Sequence, residues 1–331
     1  MRSRLFSLLA MSWLCVACGD PEETGEEQKP NPEDTQPKGP GSDAMNGFQQ
    51  GSLANAEDAA FWARTGSAPN VYFATMGPSL LDVLGGGESD ATCPATTKVD
   101  ELTERKVGNC TDKNGVEWVG SLEEKTSFTG ITTTYSGFGT VRDVVCEGKT
   151  AKARAVYTGT VVMGITGAKD NPTQTFTSNF VLETVAADSD TCAETSLTTA
   201  VEYKGTLLGT PSTGESSESG PSTWNGAGRI GTSKAGFISV ETKDEVMDSK
   251  LCAGEAASGK TLLSSDKNTV EITYDGATDC ADSSTVQWSL NGAAQGKLEG
   301  IMCSAANGPT AAFWGAALFG ALGLMRRRAR N

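Results

Sequence analysis

Histidine is missing from all 331 residues of this chain. Its absence excludes Ser-His-Asp and Cys-His nucleophilic catalysis, His-ligated zinc, and the commonest general base at neutral pH. Basic residues are also scarce where they would matter. Six of the 27 Lys and Arg residues lie in the two terminal segments (Arg2 and Arg4; Arg326, Arg327, Arg328 and Arg330), and neither segment contains Asp or Glu. Residues 19–302 are left with 21 basic and 41 acidic groups, a net charge of −20. A body so acidic repels nucleic acid and anionic lipid through its long-range field, so no nucleic-acid partner is expected. There is no P-loop and no dinucleotide fingerprint. The stretch Gly209 to Ser222 is made of Gly, Ser, Thr, Pro and Glu without a basic residue, which describes a loop and not a phosphate cradle. Apolar residues make up 37%, below the soluble average but enough for a core.

What is present speaks first about location. Met1-Arg2-Ser3-Arg4 precedes an apolar run from Leu5 to Ala17, and then Cys18-Gly19-Asp20. A basic start and a short apolar stretch describe a secretory signal over 1–17, since a spanning helix needs ~20 residues. Leu14-Cys15-Val16-Ala17-Cys18 resembles a bacterial lipobox, with Cys15 standing where that family usually has Leu; the resemblance implies that Cys18 is acylated. The alternative is an ordinary signal peptide cut near Ala17. Residues 19–45 hold Pro21, Pro30, Pro32, Pro37 and Pro40, eight acidic groups and almost nothing apolar. That composition cannot offset the entropy of ordering, so 18–45 reads as a lipidated Cys followed by an extended tether.

At the other end, Cys303-Ser304 leads through a small spacer to an apolar run, Ala311 to Met325, and an arginine cluster. This order resembles the C-terminal sorting signals of myxobacterial surface proteins. The resemblance implies that residues 303–331 are cut near Cys303 and Ser304 and that the protein travels to the outer membrane or cell surface. A plain tail anchor, with its arginines on the cytoplasmic side, is the alternative. The expected partners are therefore a membrane, reached through the lipid and the apolar segment, and the export and sorting machinery.

The region between, residues 46–302, reads as mainly β. The 39 glycines, with abundant Thr and Ser, favour strands and turns. Val270, Ile272 and Tyr274 alternate with polar residues, as do Thr199, Val201, Tyr203 and Leu207. Val286, Trp288 and Leu290 run into Asn291-Gly292, a type I′ hairpin signal. Aromatic-x-Gly recurs at Trp118, Tyr135, Tyr157, Tyr203 and Trp224, with Phe180 between the third and fourth, at spacings of roughly 20 residues that fit strand, turn and returning strand. A ring on one strand can then cover a glycine on its neighbour. Core packing accounts for this ladder, and stacking on sugar rings is the functional alternative. The expected architecture is an antiparallel meander, or a barrel-like or sandwich-like sheet. A helical lead over 51–84 supplies one or two short helices at one end of the sheet, the first capped by Asn55 and ended by Gly66 and Pro69, the second from Pro78 to Leu84.

Six cysteines lie in the body: Cys93, Cys110, Cys146, Cys192, Cys252 and Cys280. In an exported chain an even count reads as disulfides, and sequential pairing suits a meander. No CxxC occurs among them, which argues against redox catalysis or a zinc ribbon. Cys110 precedes Trp118 by eight residues and Cys280 precedes Trp288 by eight, an echo of one module at both ends of the body. The Cys-Pro segment, the Asn-Cys-Thr-Asp turn, the Trp strand and the closing hairpin resemble uncharacterised myxobacterial lipoproteins, a resemblance that implies no activity.

Candidate chemistry is sparse. Asp112-Lys113-Asn114-Gly115 begins like a calcium loop but lacks the later bidentate Glu, and it also reads as a plain hairpin turn. Asp275 through Asp282 is a second oxygen-rich turn. Carboxylate pairs are plentiful, Glu123-Glu124 and Asp244-Glu245 among them, but glycosidases need two carboxylates facing across a cleft, the sequence places no two so, and in a chain this acidic most carboxylates simply solvate the surface. No cofactor or metal is expected. The leading reading is a non-enzymatic surface lipoprotein presenting a sheet for binding or structural use. The others are a carboxylate-dependent hydrolase of polysaccharide or peptidoglycan and a carrier of an apolar ligand.

Overall fold

The computed structural model describes residues 39–75, 92–113, 115–146, 148–168, 171–188, 191–209, 221–248, 256–274 and 286–298. Fourteen strands follow three helices: β1 Ala95–Lys98, β2 Thr103–Val107, β3 Cys110–Thr111, β4 Glu117–Ser127, β5 Gly130–Cys146, β6 Lys149–Ala168, β7 Asn171–Ala187, β8 Glu194–Leu208, β9 Ser222–Thr232, β10 Gly236–Met247, β11 Ser258–Ser264, β12 Thr269–Tyr274, β13 Gln287–Leu290 and β14 Ala293–Lys297. All belong to one antiparallel sheet. Each strand pairs with its successor, except that the two-residue β3 joins β2 in pairing with β4. The meander reading therefore holds.

Alternation sets the two faces, because successive side chains of a strand point to opposite sides. Tyr135, Tyr157, Phe176, Phe180, Val201, Tyr203, Trp224, Ile238, Val270 and Ile272 all point inward and are buried in one core. A continuous rung of paired inward residues can be followed from Ile131 through Met163, Phe176, Gly205, Gly226, Thr242, Thr261, Ile272 and Trp288 to Gly296. On this rung the ring of Phe176 covers Gly205, and the ring of Tyr203 covers Gly226. A Cβ at either glycine would collide with the ring. The glycines of the three earlier repeats, Gly120, Gly137 and Gly159, instead adopt positive φ (64°, 61° and 134°), which favours a residue without a side chain. The Asn291-Gly292 turn is also as expected: Leu290 pairs with Ala293, and both turn residues have positive φ (52° and 79°).

The lead differs from its sequence reading in three ways. First, the described residues hold three helices: α1 Pro40–Met45, α2 Ala56–Gly66 and α3 Ala68–Thr75. Second, residues 40–45, expected at the end of the tether, belong to the body. Gly41 lets α1 lie directly on the carbonyls of Phe180 and Val201, which a side chain there would strike. Asn179, on the outward face of β7, accepts from the amides of Gly41 (2.8 Å) and Ser42 (3.3 Å) and donates to Ser42 Oγ (2.8 Å). Composition alone misses this docking because it rests on small residues and hydrogen bonds. Third, α2 ends at Gly66 as expected, but Pro69 lies in a new helix and not in a loop: it sits in the first turn of α3, where its missing N–H is harmless.

Beyond α1 the chain runs beside β10, where Phe237 donates to Gln49 O (3.0 Å) and accepts from Gly51 N (2.8 Å). It then passes to the inner face. Asn55 caps α2 as expected, accepting from Asp58 N. Gly66 packs against Ile230 and Val240, and Ala68 N donates to Thr242 Oγ1 (2.9 Å). The helices thus hold the middle strands from both faces and do not cover one end. The helix read over Pro78 to Leu84 lies outside the described residues. Asn179→Ala should weaken this clasp by about 1–2 kcal/mol, because it removes the partner of two amides and a hydroxyl. Limited proteolysis should then cut the variant within 40–50 well before the wild type; equal cutting rates would show that α1 is held by something else.

Candidate functional site

Cys93 is bonded to Cys110 and Cys146 to Cys192, with Cα separations of 5.8 and 5.6 Å. Sequential pairing is right for both. Cys18, Cys252, Cys280, Cys303 and Ser304 lie outside the described residues, as do Asp275 through Asp282. Among the described residues no helix is long and apolar enough to cross a membrane.

The turn that begins with Asp112 is spent on its own hairpin. Its Oδ1 accepts from Val116 N (2.9 Å) and its Oδ2 from Trp118 Nε1 (3.2 Å). These bonds account for Asp112 as a hairpin-turn residue. The rings of Trp118, Tyr135, Tyr157, Tyr203 and Trp224 are all buried, so the ladder presents no stacking platform to solvent. Glu123 is bonded to Arg105 on β2 (2.7 Å).

The second carboxylate pair is the informative one. Along β10, Ile238, Val240 and Thr242 point inward, and strict alternation would continue with Asp244. Instead Asp244 adopts a left-handed conformation (φ 49°), and the register shifts against both β9 and β11. Asn225 holds this bulge from the neighbouring strand: its Oδ1 accepts from Asp244 N (2.9 Å) and its Nδ2 donates to Asp244 Oδ1 (3.2 Å). A bulge of this kind re-aims the next side chain. Asp244 is left exposed, and Glu245 turns into the interior with 2% of its surface accessible.

Glu245 lies opposite Trp224 at the end of an aromatic cluster. Phe176 stacks on Tyr203 with centroids 5.9 Å apart, and Tyr72 from α3 meets Phe176 (5.4 Å) and Trp224 (5.1 Å) edge-on. Threaded through these rings is a set of buried hydroxyls. Tyr203 shares a hydrogen bond with Thr242 (3.1 Å), Tyr274 shares one with Thr261 (3.2 Å), and Trp224 Nε1 donates to Ser222 Oγ (2.9 Å). Tyr274 also donates to the Glu245 carboxyl. Oε2 of Glu245 has no hydrogen-bond partner among the described residues. Burial dominates this balance and pushes the carboxyl up to about 8, against the single opposing bond from Tyr274. Burial likewise raises the phenols of Tyr203 and Tyr72.

At neutral pH the site therefore holds a protonated acid among phenols and hydroxyls. It can exchange a proton or donate a hydrogen bond, and it carries no charge to attract a cation. Among the described residues no three acidic or Cys side chains converge as a metal would require. On the other face, the same strands form an open trough of about 600 Å³, whose outward residues include Thr177, Lys204, Thr206, Asn225, Glu241 and Lys243.

Comparison with the models of known protein families, with curated proteins and with solved structures finds no match to this chain. The reading of the site rests on its own residues. The sequence marks Glu245 as half of a carboxylate pair. The bulge that separates that pair depends on Asn225, 20 residues away and on another strand.

Proposed function

We propose that this chain is an exported envelope lipoprotein, anchored through acylated Cys18, whose sheet serves as a binding or structural surface and not as an enzyme. The observation that carries the reading is the pair of disulfides, Cys93–Cys110 and Cys146–Cys192, in a chain that opens with a basic, apolar, Ala17-Cys18 leader. Such bonds persist in oxidising compartments. Cys303 and Ser304, ahead of the apolar run and the arginine cluster, mark the processing point of a sorting signal and direct the protein to the outer membrane or cell surface. The inward turn of the aromatic ladder supports a recognition role for the outward face, which is left to Thr, Lys, Glu and Asn side chains that can hydrogen-bond to a partner.

The hydrolase reading draws on one observation, the raised pKa of the buried Glu245 carboxyl. General acid catalysis on a glycoside needs a second carboxylate across a cleft. The neighbour that the sequence offers, Asp244, faces away into solvent.

The anchor is tested by metabolic labelling. Radiolabelled palmitate should enter the wild type and not Cys18→Ser, and the Ser variant should leave the membrane fraction on washing if the C-terminal segment has been removed. Equal labelling of the two proteins would retire the lipid anchor. Peptide maps of surface material should lack Arg326 to Arg330; recovery of those arginines would point to a tail anchor.

A further inference from the structure

Residues past the bulge in β10 are held more lightly than those before it. From Ser239 to Thr242 the strand is paired on both sides without a break. Beyond Asp244, three residues (Glu245, Val246 and Met247) pair with β9, and on the other side only Val246 pairs, with Ser258 of β11. Few bonds close this corner. Ala257 N donates to Val246 O (2.7 Å), and Trp224 Nε1 donates to Ser222 Oγ, which in turn donates to Met247 O (3.4 Å). The bend itself is unfavourable, because Asp244 holds a left-handed conformation that a residue with a side chain adopts reluctantly. The side chain of Asn225 compensates it through its two bonds to Asp244. Gly259, also at positive φ (101°), lets β11 close over the bend, where a Cβ would strike Asp244 O.

Behind this corner lies Glu245, 2% exposed, with one carboxyl oxygen unpartnered among the described residues. The described elements packed around it bring no counter-charge. Tyr274 of β12 faces it as a donor, Tyr203 of β8 as a second buried phenol, and Trp224 lies opposite on β9, with Tyr72 of α3 behind that indole. On β11 the basic group, Lys260, is directed outward and bonded to Glu271 of β12 (2.6 Å). On β10 itself Lys243 and Glu241 face outward and pair with each other (3.1 Å), and Asp244 is exposed. A carboxylate formed at Glu245 must therefore find water, and an ionised group left buried and unpaired is the costliest of arrangements. The residues that separate it from solvent are the lightly held ones that follow the bulge.

We infer that this corner is a pH-operated hinge: on losing its proton Glu245 swings out with residues 244–247, which part from β9 and β11 while the strand up to Thr242 stays paired. Asn225 belongs both to the hinge and to the outward trough, and Lys243 adjoins both, so opening takes away one wall of the trough. The hinge operates whatever the trough receives. In the closed corner the carboxyl keeps its proton up to about 8, and in the opened one it ionises at its ordinary 4.5. Each pH unit between these two values favours the opened corner about tenfold, and above the higher value the gain stops.

The test is amide hydrogen exchange by mass spectrometry on the full chain from pH 5 to pH 9, with the intrinsic chemical rate divided out. Peptides covering 222–225 and 244–247 should lose protection by about tenfold per pH unit up to pH 8 and then level off. At every pH they should exchange faster than peptides covering Ile230 and Ile238. Low concentrations of urea should leave the corner's protection unchanged, because a local opening exposes little surface. Glu245→Gln should flatten the pH dependence while keeping the protection seen at pH 5. Asn225→Ala should lower the corner's protection at every pH and keep the slope. If the corner and the Ile230 and Ile238 peptides share one degree of protection at every pH, the proton leaves only on global unfolding. The effect of Glu245 on stability would then stand and the hinge would fall. A corner that opens ahead of the core without a pH slope, or with the same slope in Glu245→Gln, would deny Glu245 its part and overturn the inference.

Discussion

Replacing Glu245 with glutamine should make the protein more stable at pH 8.5 and leave it unchanged or slightly weaker at pH 5. In the folded state burial pushes this carboxyl up to about 8 from an ordinary value of 4.5. The unfolded chain ionises at the lower value, and the folded chain resists ionisation until the higher one. Stability tied to the neutral acid is thus fully present below pH 4.5 and is lost as pH rises through about 8. A shift of this size corresponds to on the order of 5 kcal/mol over that window. Glutamine keeps the shape, accepts from Tyr274 and never ionises, so the variant should lose this part of the alkaline destabilisation. Its own unpartnered amide costs ~1 kcal/mol at acid pH. Calorimetric melting of both proteins at pH 5, 7 and 9 decides the matter. Two curves that stay parallel across that range would mean that Glu245 is solvated or paired in solution.

Removing the Cys146–Cys192 bond should cost about as much. The bridge closes 46 residues and joins the β5–β6 turn to the β7–β8 turn, at the end of the sheet opposite the β4–β5 turn. Loop-closure entropy for that span corresponds to ~4 kcal/mol, and for the 17-residue separation of Cys93–Cys110 to ~3 kcal/mol. Double serine variants of each pair should therefore unfold at lower urea, with a slope no shallower than the wild type's because the freed unfolded chain is less compact, the Cys146–Cys192 variant being the weaker. Midpoints that barely move would leave the sheet standing on packing alone. Non-reducing peptide maps of the same material should also show Cys252 joined to Cys280, the third pair expected from the sequence.

Much of the sheet is legible in the chain. Val270, Ile272 and Tyr274, the alternating run from Thr199 to Leu207, and the Asn291-Gly292 hairpin all stand where periodicity places them, because a half-buried strand writes its inward face at every second residue. Sequential disulfide pairing follows from the meander for the same reason: chain neighbours are spatial neighbours. The helical lead is less legible. Asn55 announces α2 through a local hydrogen bond to Asp58, but α1 is held by Asn179, 138 residues from Gly41, and no local pattern encodes that contact.

The sequence by itself determined the β-rich class, the run of strands, the inward aromatic ladder, and the exclusion of histidine chemistry, because these depend on residue type and on spacing within a few positions. Tertiary structure decided the rest. It set which face each helix covers, and it turned Glu245 inward through a bulge that Asn225 supports from the next strand. It also placed Leu102, Phe128 and Ile165 at one end of the sheet, on neighbouring strands and turns. Each of these is a juxtaposition of residues far apart along the chain, and only the pairing register of the whole sheet brings such residues together.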